Sequence, residues 1–115
     1  MQIVEIINKT KSTVVNTEIA VANRFFLRLK GLLGKTGLKS EEGLVIYPCK
    51  SIHTFFMRFD IDVVFIDKNN RVLHLIEYMK PWKLSPIIKE SLYVVELPPG
   101  TIRKSNLEPG DEIAM

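Results

Sequence analysis

One cysteine in 115 residues, Cys49, closes no internal disulfide. It also excludes every zinc site that needs two or more thiolates from one chain. A reduced, buried thiol is the expected state, because free cysteine is among the most buried residue types. No apolar run reaches the ~18 residues of a membrane-crossing helix. The first twelve residues, MQIVEIINKTKS, place Glu5 inside their apolar run and offer no small-residue cleavage site, so no signal peptide is expected. A cytoplasmic location is the resulting expectation. Linkers, repeats and low-complexity segments are missing too, which favours a single domain over residues 1–115.

Several chemical motifs are also missing. There is no HxH and no HExxH pair, so a metal site from His53, His74, Asp60 and Asp62 has little support. GLLGKTG (31–37) echoes a phosphate-binding loop but lacks the GxxxxGK spacing. Cys49 and His53 stand four residues apart, about 13 Å in an extended strand, too far for a nucleophile pair. We therefore expect no metal and no cofactor.

What is present is an ordinary folding composition: 46% apolar and 25% charged residues. The formal charge is +3 and the pI about 9.1. That balance permits contact with anions but is too mild to argue for nucleic acid.

Turn signals recur about every ten residues, the spacing of a small β domain. Strands are expected over 1–7, 13–21, 43–48, 50–57, 61–67, 71–79 and 91–98, with a last short strand over 112–115. The period changes after residue 22, where Phe25, Leu29, Leu32 and Leu33 follow helical spacing. One short helix is expected near residues 23–32, and IRKSN (102–106) could form a helical turn. The fold class is mainly β: a single-domain β-sandwich or partly closed, jelly-roll-like barrel with one short helix.

The run SIHTFFMRFDID (51–62) is too polar for a plain core strand and too apolar for a loop. As a continuous strand it alternates. Odd positions from His53 to Phe65 would face the core, leaving Thr54, Arg58, Asp60 and Asp62 on the other face. Arginine among carboxylates can be a surface salt-bridge cluster, or a clamp for a carboxylate or phosphate. His53 could be a satisfied core residue, or an acid–base group if a carboxylate sets its tautomer. From Arg24 to Lys39 there are five basic residues and no acid: Arg24, Arg28, Lys30, Lys35 and Lys39. They form either a solvated helix face or a surface for nucleic acid or an anionic membrane.

Four segments together resemble a known family. RLKGLLG (28–34), GLVIYPCKSIHTFFMRFDIDVVFID (43–67), VVELPPG (94–100) and LEPGDEI (107–113) look like the uncharacterised domain-of-unknown-function family 192, in order and spacing over nearly the whole chain. The resemblance implies a compact β-sandwich or jelly-roll-like fold and no established activity. It marks Arg28, Gly31, His53, Thr54, Met57, Arg58, Asp62, Glu96, Gly110 and Asp111 as positions matching the pattern. The chain departs from it at Phe56, where related sequences often carry glycine, and at Asp60, where they often carry proline.

The expected function is recognition of a small polar ligand or a protein partner, with Arg28, His53, Thr54, Arg58, Asp60, Asp62 and Glu96 as binding candidates. Two rivals stand beside it: an enzyme using His53 with an aspartate as acid and base, and a basic-helix surface for nucleic acid or an anionic membrane.

Overall fold

The computed structural model describes residues 2–22 and 37–115. Seven strands form one sheet: β1 (Ile3–Asn8), β2 (Thr13–Ala22), β3 (Glu42–Ile46), β4 (Ile61–Asp67), β5 (Val72–Met79), β6 (Ser91–Leu97) and β7 (Ile113–Ala114). One short helix, α1 (Thr101–Lys104), follows β6. The strand order is β5-β4-β6-β3-β2-β1-β7. β2 and β3 pair in parallel and the other neighbours are antiparallel.

The sheet curls until its two edges meet at one end. Arg71 bridges Glu112, the Ile113 N–H donates to the Asn70 carbonyl at 2.8 Å, and the Gly110 N–H to the Val72 carbonyl at 2.7 Å. This is the partly closed barrel among the expected architectures, reduced to a half-barrel. Register shifts in β1, β4 and β5 supply the bends that a curled sheet needs.

Two apolar clusters lie on opposite faces. The first draws on all seven strands, with Ile6, Ile19, Val45, Val64, Val72, Val95 and Ile113 among its members, and fills the inside of the curl. The second coats the outer face with Leu44, Ile46, Ile61, Val63, Phe65 and Val94, capped by Cys49, Ile52 and Met57 from the segment after β3. β4 and β6 are therefore covered on both sides. That explains their β-branched, nearly unbroken apolar sequences, IDVVFID and SLYVVEL.

The strand expected over residues 50–57 is not formed. The segment is irregular, with one isolated bridge between His53 and Leu84. Phe56 has φ 66, in the left-handed region, which breaks extension. The Met57 N–H turns back to the Thr54 carbonyl at 3.2 Å. The alternation drawn from a continuous strand fails with it: His53 is exposed and Thr54 is buried, the reverse of odd-in, even-out. The helix expected near residues 23–32 lies outside the described residues. α1 falls on the helical turn expected at 102–106.

Candidate functional site

The seven candidate residues separate into distinct environments. Asp62 is wholly buried on the inner face of β4. One carboxylate oxygen accepts the Tyr78 N–H at 3.0 Å, and the other accepts the N–H groups of Gly100 at 3.0 Å and Ile102 at 2.9 Å. It thus ties β4 to the end of β5 and the start of α1. Tyr78, at the register shift near the end of β5, and Gly100 both have positive φ, at 53 and 93, and Asp62 holds both conformations in place.

Thr54 rivets two loops. Its hydroxyl donates to the Lys80 carbonyl at 2.5 Å and accepts the Lys83 N–H at 3.0 Å. Its own N–H donates to the Lys83 carbonyl at 2.9 Å, and its carbonyl accepts the Trp82 N–H at 2.9 Å. Asp60 adds a second tie, an ion pair with Lys80 at 2.7 Å. An aspartate there joins the same two loops that Thr54 joins.

His53 and Arg58 are exposed. His53 Nδ1 accepts the Phe55 N–H at 3.2 Å and its ring stacks on Phe55 at 4.7 Å. No carboxylate hydrogen-bonds to it among the described residues. Arg58 forms no ion pair among them. The structure therefore does not bring Arg58, Asp60 and Asp62 into one polar cluster: each faces a different environment. Arg28 and most of the basic segment, from Arg24 to Lys35, lie outside the described residues.

Glu96 is the exception. It is 5% exposed, on the outer face of β6 between Leu44 of β3 and Val63 of β4. Among the described residues no donor reaches its carboxyl. Every described side-chain nitrogen or oxygen that is shut off from solvent has a hydrogen-bond partner. The Glu96 carboxyl, lacking one, must keep a narrow opening to solvent. Burial pushes it up to about 7. A carboxyl that is nearly enclosed, apolar-flanked and unpartnered can take a proton, or a donor brought from outside.

One polar network had no signal in the sequence beyond the Gly110–Asp111 match. Asp111 accepts the Asn8 amide at 2.9 Å, the Lys11 ammonium at 3.1 Å and the Glu108 N–H at 2.9 Å. Burial would raise its carboxyl, but the hydrogen bonds from Asn8, Glu108 and Lys11 outweigh that and hold it below the usual range. Asn8 and Lys11 lie 103 and 100 residues from Asp111 and lock the closed end of the curl. Among the described residues, no three His, Cys, Asp or Glu side chains converge as metal ligands, and no helix is long and apolar enough to cross a membrane.

These features define a small half-barrel β domain with a nearly buried carboxyl, Glu96, that no donor reaches among the described residues. The fold is shared with a crystal structure of a protein of unknown function from Novosphingobium aromaticivorans, which superposes with TM-score 0.87 at 23% identity, covering 100% of this chain and 86% of that one. A Sinorhizobium meliloti structure superposes at 0.79 and 19% identity, covering 96% and 89%. In sequence, the chain is similar to a UPF0127 protein of Thermococcus sibiricus, 36% identical over 113 residues, with 94% of this chain and 72% of that one covered. UPF0127 protein PH1112 of Pyrococcus horikoshii is 35% identical over 114 residues, with 94% and 96% covered. Residues 6–115 match the model of the DUF192 family, described as an uncharacterised ACR, and the chain belongs to that family.

Proposed function

We infer that the domain binds a ligand whose cationic or hydrogen-bond-donating group reaches Glu96. The observation that supports this is the Glu96 carboxyl, 5% exposed and, among the described residues, without a hydrogen-bond donor. A buried polar group without a partner is uncommon in native folds, and a persistent exception calls for a reason. The flanking Leu44 and Val63 suit an apolar body behind that donor. A carboxyl poised near neutrality is readily ionised by an arriving cation, because an opposite charge nearby favours the charged form. The ligand class is therefore a small molecule or chain end with an amine or guanidinium on an apolar stem.

The test uses carboxyl-carbon NMR of Glu96 at pH 8 with n-butylammonium, and n-butanol as the uncharged control. The expected result is a titrating Glu96 signal with n-butylammonium, a weaker response to n-butanol, and none in Glu96→Gln. A Glu96 signal that neither probe moves contradicts the assignment.

A further inference from the structure

Two loops meet beside the outer cluster and display large apolar side chains to solvent. Phe56 is 69% exposed, Trp82 60% and Leu84 70%. Phe56 packs on Trp82 at 4.6 Å and Phe55 lies 6.2 Å from Trp82, so the three rings form one patch, and Leu84 follows Trp82 by two residues on the same loop. Contiguous exposed apolar surface on a folded domain marks a contact site.

Backbone conformation sharpens the point. Phe56 has φ 66 and Trp82 has φ 64. Side chains with a Cβ are disfavoured there, and glycine would relieve the strain. At both tips a bulky ring is held in an unfavourable conformation and left in water. Neither choice serves folding, and strain of this kind gathers at functional contacts. The Thr54 hydrogen bonds fix the two tips relative to each other, with the exposed Asp60–Lys80 ion pair alongside.

The charge around the tips selects the occupant. Residues 50–60 and 80–90 carry five basic side chains, Lys50, Arg58, Lys80, Lys83 and Lys89, against two acids, Asp60 and Glu90. The two segments are therefore net basic by three charges. That disfavours a second copy, whose matching face would bring like charges together. Four of the five cations are lysines, which are depleted at protein–protein interfaces. Rings at the tips with Lys83 next to Trp82 and Arg58 two residues from Phe56, on net basic segments, match the interface of an anionic bilayer: tryptophan settles at headgroup depth and basic residues are drawn to anionic lipid.

We propose that the loops 50–60 and 80–90 dock this domain peripherally on an anionic lipid surface, with Phe56 and Trp82 entering the headgroup layer. This assignment is independent of the ligand at Glu96.

Trp82 is the only tryptophan, so its fluorescence reports the tip directly. The full chain is titrated with vesicles of phosphatidylglycerol and phosphatidylcholine, and with phosphatidylcholine alone. The expected result is a blue shift and co-sedimentation with the anionic vesicles, weakening as salt rises. Phe56→Ser should lower vesicle affinity about tenfold, the scale of one buried ring, and Lys83→Glu should cause a further loss that salt suppresses. Phe56→Gly separates contact from structure: it should raise the melting temperature by a few degrees while weakening vesicle binding about as much as Phe56→Ser. The proposal is overturned if anionic vesicles leave the Trp82 spectrum unchanged. It is equally overturned if Phe56→Gly binds vesicles like the wild type, or if sedimentation shows a dimer that buries Trp82 without lipid.

Discussion

Asp62 and Glu96 stand one rung apart on neighbouring strands. Asp62 is opposite Leu97 and Glu96 is opposite Val63. Both are nearly enclosed carboxyls in apolar strands, and they face opposite sides of the sheet. Asp62 points into the curl and receives three backbone N–H donors. Glu96 points outward, and among the described residues it receives none. Burial is the same in kind, but its consequences are opposite. A carboxylate that accepts several N–H bonds is an internal fastener, whereas one that accepts none is held at a cost the fold does not recover. The pattern of acids in an apolar strand is thus not one signal but two, separated by the donors that surround each.

The largest expected effect comes from breaking the satisfied member. Asp62→Ala leaves the buried N–H of Ile102 and the part-buried N–H groups of Tyr78 and Gly100 without their acceptor and opens a gap beneath α1. A donor left without its acceptor costs about 1–3 kcal/mol when buried, so the combined loss is on the order of 3–5 kcal/mol. That is much of the stability of a domain this size. Urea denaturation should show the loss. A change below about 1 kcal/mol would mean that the three donors find other acceptors and that Asp62 is no fastener.

The second effect has the opposite sign. The Glu96 carboxyl is raised from 4.5 to about 7 by burial, so the folded chain holds its proton more tightly than the unfolded one. The stability tied to that proton is full below about pH 4.5 and is lost as pH rises through 7. The shift corresponds to about 3 kcal/mol between those limits. Glu96→Gln, neutral at every pH, should therefore stabilise the protein at pH 8 by up to about 3 kcal/mol and change it little at pH 4.5. Denaturation curves at the two pH values read the difference. Equal effects at both would show that Glu96 does not titrate between them.

The sequence made parts of this legible for physical reasons. β4 and β6 are readable because strands buried on both faces are written as runs of β-branched residues, and an acid inside such a run stands out. Both Asp62 and Glu96 are visible that way. Which of them is satisfied is not, because the donors come from backbone 16 to 40 residues away in sequence. The 51–60 segment misleads for a different reason. Its composition is that of a strand, and nothing about a phenylalanine announces φ 66. The departure from glycine at Phe56 was the one clue. The Asn8–Lys11–Asp111 lock is unreadable, since its ends meet only after the sheet has curled.

Asp60 sharpens the comparison as a third carboxyl, two residues from Asp62 on the same chain. Its oxygen is 2.7 Å from the Lys80 ammonium, on a surface where the lysine side chain is 65% exposed. An exposed ion pair gains little over hydration and is screened by salt. Asp60→Asn should cost no more than about 1 kcal/mol, and less at 0.5 M sodium chloride than at low salt. If Asp60→Asn instead costs as much as Asp62→Asn, the loops at 50–60 and 80–90 depend on that ion pair for their shape. The distinction between fastened and unfastened carboxyls would then rest on charge pairing and not on the backbone donors that Asp62 collects.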